Sequence, residues 1–204
     1  MDDATFDRIY GAWDPPTLPR LQAAFAGFDR PWWVCGGWAI ELAGGVARPH
    51  HDLDVLILLD DLPRLRRHLA GWQFVQVQAA MEPVILGPDD PLPPDVLQLW
   101  IRRDAAGPWL IDLGLARTVG DQWCYKRDES FRLPVADIGL LSAEGIPYLR
   151  PELALLFKAK LARPQDEDDF IAVLSRLDAA AQQRLRDYLV RFHPQVAWLR
   201  RLDR

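Results

Sequence analysis

The sequence predicts a mixed α/β (α+β) protein in which an N-terminal part with a mixed sheet is followed by a C-terminal helical bundle. Short apolar or alternating runs, which are typical of strands, recur up to residue 116, with helical spacing between them. From residue 151 onward only helical spacing remains. We therefore place an α/β domain at residues 1–150 and a helical domain at residues 151–204.

Each predicted element of the first domain follows from a local pattern. The run DLDVLILLDD is continuously apolar after two aspartates and predicts a strand buried on both faces. The turn sequence Asp-Ala-Ala-Gly joins the last two strands and predicts an antiparallel hairpin. Residues 117–150 show no clear period. In chain order we expect helix 15–28, a strand followed by a tight glycine turn at 31–37, helix 38–45, strand 52–61, helix 62–72, and strands 73–78, 95–103 and 108–116.

The C-terminal domain is predicted to contain three helices, at residues 153–162, 166–177 and 179–192. Asp166 precedes an amphipathic run and is predicted to be an N-cap, with Asp169 at the N3 position of a capping box. These two aspartates are therefore interpreted as structural residues.

Composition narrows the class of partner. The chain has 204 residues, with 24 Lys+Arg against 29 Asp+Glu and a net charge of −5. This acidic balance makes a nucleic-acid partner unlikely and suits a small cationic substrate better. No segment approaches the roughly 20 apolar residues of a membrane span. The two cysteines have no metal-ligand spacing around them, so we expect a cytoplasmic protein with reduced thiols and no membrane partner.

Asp52 and Asp54 open the apolar run and carry the first chemical signal. On a strand, side chains two residues apart point to the same side, so the two negatively charged carboxylates would repel each other. A divalent cation such as Mg²⁺ removes that repulsion. A solvated pair of aspartates at a strand end is the alternative interpretation of this motif alone.

Two further features are weak signals when each is taken by itself. Gly36-Gly37 lies between a strand and a helix, where glycines permit close approach of a phosphate to backbone N–H groups. Asp112 interrupts an apolar strand and needs a partner for its charge. A simple turn and an edge-strand aspartate are the respective alternatives.

Taken together, these motifs resemble the nucleotidyltransferases of the DNA polymerase beta superfamily. The segments Cys35-Gly-Gly-Trp-Ala-Ile-Glu-Leu and Arg48-Pro-His-His-Asp-Leu-Asp-Val resemble the aminoglycoside 2''-nucleotidyltransferase-like family, to which lincosamide nucleotidyltransferases are related. Weaker resemblance continues through Trp123-Cys-Tyr-Lys-Arg-Asp and Gly145-Ile-Pro-Tyr to Lys158-Ala-Lys160. The resemblance implies a polymerase-beta-like nucleotidyltransferase core.

The resemblance also implies a reaction and a site. A nucleoside monophosphate would pass from an NTP, the co-substrate, to a hydroxyl of a small acceptor, with release of pyrophosphate. Two Mg²⁺ ions would be held by the catalytic carboxylates, and Asp112 could accept the hydroxyl proton. Lys158 is preferred over Lys160, which points to another side of the helix. The implied residues are Asp52, Asp54 and Asp112 for metal and catalysis, and Gly36, Gly37, Arg48, His50 and Lys158 for the NTP.

Alternatives remain open at this point. The same core could modify a macromolecule such as tRNA or a protein, as toxin-type members do, or could bind nucleotides without catalysis. A His-Asp phosphohydrolase is rejected, because only His68 and His193 remain to complete its metal site. We also expect acidic residues to line the acceptor site, with Glu82, Asp89 and Asp90 as candidates.

Overall fold

The computed structural model describes residues 11–76, 84–87 and 89–203. The chain forms two compact units, and both are discontinuous in sequence. The first combines residues up to Trp33 with His50–Asp137, and the second combines Val34–Pro49 with residues from Ile138 onward. The predicted boundary at residue 150 coincides with the start of the C-terminal helices; as a domain boundary it stays a prediction.

The secondary structure consists of short strands and helices. The strands are β1 (Trp32–Val34), β2 (Asp54–Leu58), β3 (Gln73–Gln76), β4 (Val84–Leu86), β5 (Gln98–Arg102), β6 (Ile111–Ala116), β7 (Thr118–Val119), β8 (Gln122–Tyr125), β9 (Asp128–Pro134), β10 (Gly139–Leu141) and β11 (Pro147–Leu149). The helices are α1 (Leu18–Ala24), α2 (Gly36–Leu42), α3 (Leu62–His68), α4 (Pro151–Lys158), α5 (Pro164–Leu174), α6 (Ala179–Phe192) and α7 (Leu199–Leu202).

The first unit is built on a mixed sheet in the order β2-β6-β5-β3-β4. Strands β2 and β6 are parallel, whereas β5 pairs antiparallel with both β6 and β3. The predicted mixed sheet and the β5–β6 hairpin are therefore confirmed. A second, three-stranded sheet has the order β7-β8-β9.

Strand β2 is shorter and more exposed than its apolar sequence suggested. Val55 and Ile57 are buried, but Asp54, Leu56 and Leu58 alternate with them as half-buried residues, so only one face is fully covered. The strand ends at Leu58, where a single 3₁₀ turn over Leu59–Asp61 begins. The predicted strand is therefore confirmed with shorter bounds, whereas the prediction of burial on both faces was wrong.

The region from residue 117 to 150 contains five strands, β7 to β11, where the sequence showed no period. Strand β9 is half-buried or exposed along its whole length, so it lacks the alternation of a strand with one buried face. Its antiparallel pairing with β8 is also interrupted by a register shift near Tyr125. The strands in this region are specified by pairing with neighbours, which local pattern does not reveal.

The second unit is built around α4. Every residue from Pro151 to Leu156 is buried, and α4 packs against α2, α5 and α6. Glu152, only 1% exposed, is held by the guanidinium of Arg184 at 2.9 and 2.7 Å. The Phe170 and Trp198 rings stack with their centroids 4.7 Å apart.

The second unit also contains paired strands. Strands β10 and β11 form an antiparallel pair, and Val34 of β1 pairs parallel with Tyr148 of β11.

Helix α2 begins earlier than predicted. Gly36 and Gly37 are its first two residues rather than a turn before it, and Cys35 is the N-cap. Gly36 has a φ of +59°, so the chain enters the helix through a left-handed conformation that favours glycine. Within the described part of the chain, no helix is long and apolar enough to cross a membrane.

Candidate functional site

Three carboxylates meet at the N-terminal ends of the neighbouring strands β2 and β6. Asp54 is the first residue of β2, and the parallel register places it directly beside Asp112 on β6. Asp52 lies two residues before Asp54, outside the strand. The backbone N–H of Asp112 donates to the carbonyl of Leu53 at 2.9 Å and so fixes the residue between the two aspartates. Leu53 is fully buried, so the alternation turns the aspartates on either side of it away from the core.

The separation of these side chains suits a metal centre. Each of Asp52, Asp54 and Asp112 offers an oxygen, and the three oxygens lie within 4.8 Å of one another. Three negative charges at this spacing repel each other, and a divalent cation would remove the repulsion. Carboxylate oxygens are the ligands that Mg²⁺ prefers. The donor set therefore fits the predicted ion, and the three predicted ligands are brought together.

Asp112 lies in the most structured environment of the three. The side-chain amide of Gln98 donates to both of its oxygens, at 2.8 and 2.6 Å. Burial raises the pKa of Asp112 to about 6, and the negative charge of Asp52 adds to that effect. Hydrogen bonds from Gln98 and Trp100 and the charge of Lys126 act in the opposite direction on this pKa. Asp112 is therefore ionised at neutral pH and able to accept a proton.

A tryptophan cluster adjoins Asp112. Trp100 is its cross-strand neighbour on β5 and donates a hydrogen bond to its carboxylate. The Trp100 ring centroid lies 5.2 Å from that of Trp13 and 5.4 Å from that of Trp109. Trp13 reaches this position because it forms an isolated bridge with Trp109. The sequence analysis did not identify Gln98 or Trp100 as site residues. Alternation along Gln98–Arg102 places both side chains on one face of β5, but it does not reveal which strand lies beside β5.

The residues predicted to bind the NTP divide between the two units. Gly36 and Gly37 open α2 in the second unit, which also contains Arg48 and Lys158. His50 is half-buried in the segment before Asp52, in the first unit. The role of all five in nucleotide binding stays a prediction.

Arg48 and Lys158 converge on the same carboxylate. Two nitrogens of Arg48 donate to Asp169 at 3.0 and 2.9 Å. The Lys158 ammonium lies 2.8 Å from Asp169 and 3.2 Å from Asp166, and its side chain is only 9% exposed. Burial alone would raise the pKa of Asp169, but hydrogen bonds and charge from Lys158 and Arg48 outweigh it and hold that pKa below its usual value. The two predicted phosphate-binding cations are thus part of a buried ion cluster.

Asp166 caps its helix, but not from the predicted position. Pro164 is the first residue of α5 and Arg163 is the N-cap, which places Asp166 at N3. The Asp166 carboxylate accepts the backbone N–H of Arg163 at 3.0 Å, as in a capping box. The helix starts earlier than expected because proline is well suited to its first turn.

The acidic residues suggested for the acceptor site are only partly described. Glu82 lies outside the described residues. Asp89 and Asp90 are exposed, and the Asp90 carboxylate accepts the backbone N–H of Gly87 at 2.7 Å. Their role towards an acceptor stays a prediction.

Comparison of the sequence with family profiles finds one match. The sequence profile of the Aminoglycoside-2''-adenylyltransferase family matches residues 17–87, a range that includes Gly36, Gly37, Asp52 and Asp54. No curated protein sequence matches the chain.

Solved structures share the fold. The crystal structure of ANT(2'')-Ia in complex with adenylyl-2''-tobramycin matches at 15% identity and a TM-score of 0.56, covering 86% of this chain and 96% of that one. The lincomycin-bound lincosamide adenylyltransferase LnuA matches at 16% and 0.55, covering 80% and 100%. The solution structure of ANT(2'')-Ia matches at 16% and 0.52, covering 98% and 97%. The predicted resemblance and the polymerase-beta-like fold are confirmed.

Proposed function

We propose that this chain, a nucleotidyltransferase of the aminoglycoside and lincosamide adenylyltransferase type, transfers a nucleoside monophosphate from an NTP to a hydroxyl of a small acceptor and releases pyrophosphate. The observation that carries the proposal is the set of three carboxylate oxygens within 4.8 Å of one another, two from the adjacent parallel strands β2 and β6 and one from Asp52 just before β2. Such a set provides what a nucleotidyl transfer needs most, a fixed arrangement of charge around the reacting oxygens.

Asp52, Asp54 and Asp112 would hold Mg²⁺, and two ions are expected by resemblance. Bound divalent cations stabilise the charge that develops on the attacking and leaving oxygens. The protein contributes orientation: Leu53 anchors the two aspartates beside it, and Gln98 and Trp100 orient Asp112. Asp112 would accept the proton of the acceptor hydroxyl.

The NTP phosphates are assigned by resemblance to Gly36 and Gly37, with Arg48, His50 and Lys158 as supporting residues. Gly36 and Gly37 have no side chains, so the backbone at the start of α2 is open to close approach by a phosphate. Arg48 and Lys158 would exchange part of their contact with Asp169 for phosphate oxygens, because each is already paired with that carboxylate.

The acceptor is proposed to be small and cationic. The net charge of −5 favours attraction of a cation and disfavours a polyanion. The two matched crystal structures hold an adenylylated aminoglycoside and a lincosamide, so these compound classes are the first acceptors to test.

Nucleotide binding and transfer test the proposal directly. Calorimetric titration with non-hydrolysable ATP and GTP analogues should show binding that requires Mg²⁺ and is weakened by Asp52→Asn. Transfer of label from α-labelled NTP to a panel of aminoglycosides and lincosamides, with mass spectrometry of the product, should identify the acceptor. Asp54→Asn should lower the transfer rate by about 100-fold or more, because several kcal/mol of charge stabilisation are lost.

The control is Asp60→Asn, which removes an exposed carboxylate just beyond the end of β2. This variant should transfer at the wild-type rate. Wild-type turnover by Asp54→Asn would refute the metal assignment, and absence of binding of both nucleotide analogues would refute the proposed activity.

A further inference from the structure

Gln98 occupies a specific position relative to the Asp112 carboxylate. Its side-chain nitrogen lies 2.8 Å from one carboxylate oxygen and 2.6 Å from the other. A donor that close to both oxygens, and with acceptable hydrogen-bond angles at each, lies in the mouth of the carboxylate between its two oxygens. The oxygens therefore share one N–H donor group on the side where a chelating partner would approach.

The sheet register explains why Gln98 reaches this position. Trp100 pairs with Asp112 across β5 and β6, and Gln98 pairs with Gly114. Residues two apart on a strand share a face, so Gln98 is the diagonal neighbour of Asp112 on the face that carries the carboxylates. Trp100 donates a second hydrogen bond to the same carboxylate. Two side chains of β5 thus determine the orientation of Asp112.

The occupied mouth affects how a cation can be bound. A cation chelated by both oxygens of one carboxylate would need the position that the Gln98 amide holds. Ca²⁺ takes six to eight oxygen ligands at about 2.3–2.6 Å and often binds carboxylates through both oxygens, whereas Mg²⁺ requires near-octahedral geometry at about 2.0–2.1 Å. Contact through a single oxygen of Asp112 remains open to either ion, but it matches the needs of Mg²⁺ better.

We propose that Gln98 is a positioning residue that restricts Asp112 to contact through one oxygen and thereby favours Mg²⁺ over Ca²⁺ at the carboxylate centre. The inference rests on the proposed function, because it assumes that Asp52, Asp54 and Asp112 bind a divalent cation. It adds a residue outside the carboxylate set and a property, the discrimination between two cations, that the activity alone does not specify.

The test measures cation affinity without catalysis. Mn²⁺ is titrated into the nucleotide-free protein and followed by quenching of tryptophan fluorescence, to which Trp100 beside Asp112 contributes. Bound Mn²⁺ is then displaced with Mg²⁺ or with Ca²⁺, and the ratio of the two displacing concentrations gives the selectivity. Gln98→Leu and Gln98→Met remove the amide donor from an exposed position, and circular dichroism verifies that both variants fold.

The matched control is Gln122→Leu. Gln122 also donates its side-chain amide to a neighbouring aspartate, Asp121, at 3.2 Å, but this pair is not part of the carboxylate centre. Both Gln98 variants should bind Ca²⁺ about tenfold better relative to Mg²⁺ than the wild type does, since changes of residues that orient metal ligands alter affinity by about 10–100-fold. Gln122→Leu should keep the wild-type ratio.

The outcomes separate the two levels of the argument. An unchanged ratio in both Gln98 variants, with Mn²⁺ quenching that Asp54→Asn abolishes, would overturn the role of Gln98 and leave the proposed metal centre intact. The same change of ratio in Gln122→Leu would also overturn it. Failure of the wild-type protein to bind Mn²⁺ would overturn the proposed metal centre and this inference with it.

Discussion

Replacing Lys158 with methionine removes a buried ammonium and keeps most of the side chain's volume. In the structure this ammonium lies 2.8 Å from Asp169 and 3.2 Å from Asp166. The Lys158, Asp166 and Asp169 side chains are 9%, 0% and 6% exposed, respectively. The substitution therefore leaves two buried carboxylates without a cation that both of them contact.

The size of the stability loss depends on the ion pairs that the two carboxylates keep. Removing one partner of a buried ion pair costs about 3–5 kcal/mol. Arg163 still contacts Asp166 and Arg48 still contacts Asp169, so we expect a loss near the lower end, about 3 kcal/mol. With a urea dependence of about 2 kcal/mol per molar, the unfolding midpoint should fall by about 1.5 M.

The loss should also depend on pH. Burial would raise the pKa of Asp166, but contacts with Arg163 and Lys158 outweigh burial and lower it, and Asp169 behaves in the same way. A lowered folded-state pKa contributes stability that is present above the unfolded value of about 3.9 and is lost as pH falls through the folded value. The difference between wild type and Lys158→Met should therefore be largest at neutral pH and shrink below about pH 4.

Urea unfolding followed by circular dichroism and tryptophan fluorescence, at pH 7 and below pH 4, measures both effects. Lys160→Met is the matched control: Lys160 is exposed, and its loss should change stability by about 0.5 kcal/mol or less. Equal midpoints for the two variants at pH 7, or a Lys158→Met deficit that is undiminished in acid, would refute the reasoning from the ion cluster.

Two further predictions concern other parts of the chain. Asp112→Asn should stabilise the metal-free protein in EDTA by about 1–2 kcal/mol at pH 8 but not at pH 4. Folding raises the pKa of Asp112 from 3.8 to about 6, so ionisation of this carboxyl costs folding free energy as the pH rises through that range. Thermal melts at the two pH values measure the effect, and an equal change in stability at both would contradict the raised pKa. Gly36→Ala should destabilise the fold by about 1–2 kcal/mol, because alanine disfavours a φ of +59°. Gly107→Ala is the control and should have little effect, because the added methyl group would meet only an ordinary contact with Asp104 at 3.5 Å. Similar melting temperatures for both variants would show that the left-handed entry to α2 is dispensable.

The metal ligands illustrate how far local pattern reaches. Asp52 and Asp54 could be placed on one side of a strand from their spacing alone, because alternation is a property of the extended backbone. Their partnership with Asp112 could not be derived this way, since it requires β6 to lie beside β2 in parallel register. Order of motifs and resemblance supplied that prediction, and strand pairing in the structure accounts for it.

Gln98 and Trp100 show where sequence reasoning stopped. Both lie on a strand that was predicted, but their significance depends on the register between β5 and β6, and a shift of one residue would turn them to the other face. Strands β7 to β11 were missed for a related reason: they are short and largely lack alternating burial, so their pairing partners specify them.

The helical residues divide in the same manner. Helical spacing favoured Lys158 over Lys160. In the structure α4 ends at Lys158, whose side chain is 9% exposed, and Lys160 lies beyond the end of the helix and is exposed. Spacing did not show that Lys158 would meet Asp166 and Asp169, because these residues belong to the next helix.

Local sequence was sufficient to predict strands β1–β3, β5 and β6, helices α1–α6, the paired aspartates, the glycines at the start of α2 and the family resemblance, because these depend on residues close together in the chain. The tertiary structure alone decided that Asp112 lies beside Asp54, that Gln98 and Trp100 orient it, and that Arg48 and Lys158 converge on Asp169. Each of these contacts joins segments that are distant in sequence, and their geometry is set by strand register and helix packing rather than by local preference.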